Sequence, residues 1–344
     1  MSQIVNLEIK QSELTISPPS ISKETVEKQL SSKAIETIKD IVADTSKRMQ
    51  GHKANIQLLN SGIFYPNEYF KALKATNQTA RLNFFLNKGS FYHGYLSPKH
   101  FEMVKNDSMP TGVQLYFFVL KKGVKPSEAL AALRRGPSLI GCGETCEVAY
   151  FEAIKDVLGI EKFDLLFSAE SSTPLRIDYN SPTNPLVSLI QQALSPKTLK
   201  GRIVHIVNTP YYPIKHLNGE ARGFNAIVCN ETAKLETVTT IGLKPEGSTF
   251  AETNETLLQE FNDEPIGMAI VTQEVAQRII ASNPSEKIRL AEVSKNAKIT
   301  MEEFKHQGGG EITFTIEFNA MRITDLANSS LKKARELFNQ WTKN

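Results

Sequence analysis

The chain has 344 residues, enough to bury a sizeable core, and its 40% hydrophobic and 22% charged content excludes wholesale disorder, collagen-like repeats and coiled coil. Lysine and arginine number 40 against 37 acidic residues, with no basic block long enough to track a phosphate backbone, so nucleic acid is not an expected partner. Three cysteines, Cys142, Cys146 and Cys229, cannot all pair, which predicts a free thiol and a reducing, cytoplasmic setting.

Residues 1–54 read as a polar leader followed by an amphipathic helix, because Pro18-Pro19 break the chain, Ser22 can cap a helix start and Glu24 falls in the first turn. The leader lacks the basic-then-apolar order of a secretory signal, and no apolar run reaches the roughly 20 residues of a membrane span. Residues 55–265 are expected to form the catalytic domain. Its first part is aromatic-rich and leads to a strand, GVQLYFFVL, over Gly112 to Leu120. A short helix, SEALAALRR, follows Pro126 and stops at Gly136-Pro137.

The next helix carries the chemistry. From Thr145 to Leu158 the apolar positions Val148, Phe151, Ala153, Ile154 and Leu158 approximate helical spacing, and Gly159 supplies the stop. Cys142 thus falls at the helix start and Cys146 in its first turn. Beyond it, LVSLIQQAL reads as a helix, RIVHIVN and FNAIVCN as strands, and Ala251 to Phe261 and Thr272 to Ala281 as helices. Residues 266–344 add strands in KIRLAEV and EITFTIEF, a turn at Gly308-Gly309-Gly310 and a last helix, SSLKKARELFNQW, all packed on the same domain.

A thiol becomes a nucleophile when its thiolate is stabilised, and a helix N-terminus does this with its unpaired N–H groups and positive dipole end. Cys142 fits that place, with Gly143 allowing close approach of substrate to backbone. Cys146 and Cys229 read as packing residues. An imidazole is the usual proton acceptor, and His216, on the polar and aromatic loop YYPIKHLNGEARGFN, is the expected base. His205, inside a strand, reads as a satisfied core histidine. Asn225, opening the second strand, is the expected orienting group, and Glu144 either takes a proton or favours the helix dipole. Asn208, Tyr211 and Tyr212 are the expected substrate contacts. The cysteine and histidine spacings match no zinc pattern, and no cofactor is expected.

The run GCGETCEVAYFEAIKDVLGIEKFDLLF resembles the catalytic helix of the spore-coat transglutaminases of bacilli. Tyr150 to Ala153 stands for that family's YYKA-like run and Phe163 to Phe167 for its FxxLF. GRIVHIVNTPYYPIKHLNGEARGFNAIV is similar to its Gly-Asp strand, Asn-Pro step and Gly-Glu-Asn motif, and a later Ile241-Gly242-Leu243 precedes a helix as it does there. The likeness spans about residues 140 to 262. It implies an α+β, papain-like or transglutaminase-like fold with a catalytic helix packed on an antiparallel sheet, and Cys142 as the nucleophile. It also implies acyl transfer from a protein glutamine through a thioester, with an amine or water as acceptor. A peptidase or isopeptidase, or a binding module using the aromatics around Phe91, Tyr92 and Tyr95, is the alternative. Two positions depart from the family: its Gly-Glu-Asn glutamate falls on Phe224, and the glutamate before its cysteine on Gly141. Variants of this fold also occur among effectors injected into host cells, which makes such secretion the second expected location.

Overall fold

The computed structural model describes residues 20–51, 63–64, 95–105, 116–178, 181, 183–193, 198–216, 221–230, 239–241, 247–263 and 298–342. In chain order these are α1 (Lys23–Gly51), β1 (Ile63–Phe64), β2 (Phe101–Lys105), β3 (Tyr116–Leu120), α2 (Pro126–Arg135), β4 (Ser138–Leu139), α3 (Cys142–Leu158), α4 (Ile160–Leu166) and β5 (Arg176–Ile177). A 3-10 turn at Pro185–Leu189 leads to β6 (Ile190–Gln192), β7 (Ile203–Val207), α5 (Tyr212–Lys215), β8 (Gly223–Asn230), β9 (Thr239–Ile241) and β10 (Ser248–Thr249). The remaining elements are α6 (Phe250–Asn262), α7 (Met301–His306), β11 (Ile312–Phe318), α8 (Ala320–Asn328) and α9 (Leu331–Trp341). None of these helices is long and apolar enough to cross a membrane.

The centre is a six-stranded antiparallel sheet in the order β10-β9-β8-β7-β11-β6. β11 lies between β7 and β6, so the C-terminal segment completes the sheet rather than decorating it. Strand alternation splits the side chains of the sheet between two cores. Ile203, Ile227, Ile316 and Phe318 pack with α1, α3 and α8, whereas Val204, Ile206, Ala226 and Val228 meet Phe250, Leu257 and Phe304 from α6 and α7. A second sheet, β2-β3-β5, is also antiparallel.

The helix α3 is apolar on nearly every side because it is covered nearly all round, with α1, α2, α4 and α8 and strands β5 and β8 packed on it. The expected helix LVSLIQQAL is instead the 3-10 turn followed by β6. Asn184 caps the turn through Leu186 N–H, Pro185 opens it, and from Ile190 the backbone bonds to β11, a long-range pairing that local propensity does not show. α7 and α8 were not expected; each begins at a polar cap, Thr300 and Asn319. The aromatic stretch before Tyr95 apart from β1, the helix at Thr272 to Ala281 and the strand KIRLAEV lie outside the described residues.

Candidate active site

α3 starts at the sulfur. Gly141 is its N-cap and Cys142 its first residue, and the first intrahelical bond runs from Thr145 N–H to the Gly141 carbonyl at 3.0 Å. The N–H groups of Cys142, Gly143 and Glu144 therefore precede the helical ladder and carry its positive end. Cys142 is partly exposed, Gly143 is buried beside it, and Cys146 is only 1% exposed. Burial pushes the Cys146 thiol well above its ordinary value, with Cys142 and Glu144 adding to the rise. Burial also raises Cys229. Of the three cysteines, Cys142 is the one whose position suits nucleophilic chemistry.

β8 supplies the partner. Asn225 directs two donors at the Cys142 sulfur, its backbone N–H at 3.4 Å and its Nδ2 at 3.5 Å. The alternation of β8 decides which residue arrives there. Asn225 faces α3, while Phe224 turns to the opposite core. Across the ladder His205 pairs with Asn225, and its Nδ1 shares a proton with Oδ1 at 2.9 Å. The imidazole stacks on Phe314, centroids 4.9 Å apart and planes 4° from parallel. Its far edge lies over Gly223, where a Cβ would meet Cε1 at 2.6 Å and Nε2 at 2.7 Å. Burial lowers the His205 pKa against the opposing effect of the Asn225 bond, so the ring is neutral near pH 7.

His205, read from the sequence as a satisfied core histidine, is partly buried and bonded to Asn225 beside the Cys142 sulfur. The available signal was that His205 and Asn225 are the two polar interruptions in IVHIV and FNAIV, and a hairpin register brings such interruptions face to face.

Glu144 folds back toward the helix start, its Oε2 lying 2.7 Å from where a Cβ on Gly141 would stand. The missing side chain at residue 141 thus makes room for the carboxyl of Glu144, two residues after Cys142. His216, the expected base, is placed elsewhere. It is buried with its Nε2 bonded to the Phe261 carbonyl at 2.9 Å and its ring stacked on Tyr212 at 4.7 Å. Burial lowers its pKa first, with the Phe261 bond opposing. Tyr211 and Tyr212, expected to touch substrate, form one buried cluster with Phe261, and the Tyr212 hydroxyl accepts the Ala221 N–H at 3.2 Å. Asn208 is likewise spent on backbone: Nδ2 donates to Ala221 and Leu257 carbonyls, and Oδ1 accepts the Thr209 N–H. The structure brings Cys142 and Asn225 together, adds His205, and sets His216 against Tyr212 and the Phe261 carbonyl of α6. No cluster of three or more His, Cys, Asp or Glu suited to a metal ion occurs among the described residues.

No protein-family model matches this chain, and no curated protein matches it by sequence. Among solved structures it is similar to a transglutaminase from Geobacillus stearothermophilus without its C-terminal extension. That match has 11% identity and a TM-score of 0.46 and covers 89% of this chain and 98% of the other.

Proposed function

We propose that the protein catalyses cysteine-dependent acyl transfer on protein glutamine side chains, with Cys142 as nucleophile. The observation that carries the reading is the convergence of both Asn225 donors on a partly exposed sulfur at the start of α3. Together with the helix N-terminus they favour the thiolate over the thiol. The likeness of residues 140 to 262 to spore-coat transglutaminases supports glutamine as the acyl donor.

In this mechanism Glu144 accepts the thiol proton and the thiolate attacks the carboxamide carbon. The oxyanion is received by the N–H groups of Cys142 and Gly143, donors whose individual loss in such sites costs about 2.7–4 kcal/mol of barrier. Collapse expels the nitrogen as ammonia, carrying the proton that Glu144 held, and leaves a thioester on Cys142. A primary amine then gives a cross-link and water gives deamidation, Glu144 taking the proton of either. The test is ammonia release and labelled-amine incorporation on a glutamine-rich protein mixture. Cys142→Ala is expected to abolish both, and Glu144→Gln to lower both by on the order of 10²–10⁴-fold. Ammonia release that survives Cys142→Ala would overturn the reading, as would peptide cleavage without it.

A further inference from the structure

The bond between His205 and Asn225 sets more than packing. Oδ1 of Asn225 has lone pairs and no hydrogen, so the proton at 2.9 Å belongs to His205 Nδ1. That choice fixes the tautomer of the ring, and it fixes the face of the carboxamide that meets Cys142. With Oδ1 turned to the imidazole, the NH₂ end faces the sulfur, as its 3.5 Å contact shows. The reverse orientation would aim oxygen lone pairs at the sulfur, repelling a thiolate and rewarding the protonated thiol. The ring itself has little freedom to leave, because Phe314 stacks on one face and its edge lies over Gly223.

We infer that His205 is a positioning residue for the nucleophile: by donating from Nδ1 to Asn225 Oδ1 it holds the carboxamide NH₂ on Cys142 and keeps the thiol acidic. The inference rests on the reading of Cys142 as the nucleophile. It gives the pair an order, cysteine to asparagine to histidine, in which the imidazole acts through the amide and not on the sulfur. Gly223 belongs to the same device, since a side chain there would drive the ring off its place. Among the described residues, Glu144 and Cys146 share this turn with Cys142 and interact electrostatically with each other, Glu144 also acts on Glu147 one turn on, and all three are left unaltered in the test.

The experiment follows alkylation of Cys142 by iodoacetamide in the full chain, site by site by mass spectrometry, from pH 5 to 10. His205→Phe keeps an aromatic ring against Phe314 and removes the donor. It is expected to raise the midpoint by about one pH unit, a roughly tenfold slower reaction below the midpoint. His205→Gln can still donate to Oδ1 and is expected to stay within about threefold of the wild type. If His205→Phe does not fold, Gly223→Ala decides, and it is expected to shift the midpoint in the same direction. A folded donor-less variant with an unchanged midpoint overturns the inference while leaving Cys142 as nucleophile. A wild-type Cys142 that reacts no faster than Cys229 overturns both.

Discussion

The Tyr150 hydroxyl and the Ile203 backbone N–H meet at 3.2 Å in the buried seam between α3 and the central sheet. The same hydroxyl reaches the carbonyls of Gly201 at 3.0 Å and Ile316 at 3.1 Å, so one side chain ties α3 to β7 and β11. The ring is stacked on Phe318 with centroids 3.9 Å apart. Tyr150→Phe keeps the stacking and strands the Ile203 N–H without water. The expected loss is about 1–3 kcal/mol, read as a lower urea midpoint with an unchanged slope. A midpoint equal to the wild type would mean that the seam rearranges to satisfy its own backbone.

The three thiols should separate sharply in reactivity. Cys142 is partly exposed at a helix start, Cys146 is buried with its thiol pushed well up, and Cys229 is raised by burial. Limiting iodoacetamide at pH 7.5 is expected to add one label, at Cys142, at least about tenfold faster than at either other site. In denaturant all three should react at similar rates. A first label on Cys146 would contradict the burial of the first turn of α3.

How far the sequence revealed this site depended on range. Cys142 was legible because its signal is local: glycines before and after, then an apolar helical period, place it at a helix start without any tertiary information. Asn225 was legible as the opening of a strand. His205 was not, since its meaning comes from pairing with Asn225 across β7 and β8, and a lone polar residue in an apolar strand reads the same whether it serves a site or a core. His216 misled for the opposite reason. A histidine on a polar, aromatic loop has the composition of a site, yet its aromatic neighbours Tyr212 and Phe261 form a small core of their own. The same limit hid β6, whose helix-like pattern yields to a pairing with β11, more than a hundred residues away in the chain.

His216 can be tested directly as a structural residue. His216→Phe should retain Cys142 alkylation within about threefold while losing about 1 kcal/mol with the hydrogen bond to Phe261. The pH dependence carries a sign. Burial lowers the His216 pKa in the fold below its ordinary 6.5. Its contribution to stability is thus fully present above pH 6.5 and is lost as pH falls through the folded value. The variant has no such loss, so wild type and His216→Phe should converge between pH 7 and 5 in chemical denaturation. A collapse of Cys142 reactivity in a folded His216→Phe would restore this histidine to the catalytic machinery.

A second titration, of opposite sign, lies inside α3. Glu147 is fully buried and accepts the Asp178 N–H at 3.2 Å and Asn184 Nδ2, while Asp178 pairs with Arg176 at 2.9 Å. Burial pushes the Glu147 carboxyl well up, with nearby Asp178 adding to it. Burial likewise raises Asp178, to about 6, against the pull of Arg176. A carboxyl raised in the fold binds its proton more tightly folded than unfolded, so its contribution to stability falls as pH rises from the unfolded to the folded value. For Asp178 that window runs from 3.8 to about 6, and for Glu147 it opens at 4.5 and extends higher. Glu147→Gln removes the ionisation at that site but also weakens one acceptor, so it should be less stable than the wild type at pH 5. Between pH 5 and 8 the difference should shift in favour of the variant, because the wild type loses stability as the raised carboxyl is forced to ionise in the fold. Urea midpoints at pH 5, 6, 7 and 8 check this. Parallel curves for the two proteins would mean that Glu147 is charged in the fold, and that Arg176 or ordered water neutralises the pair.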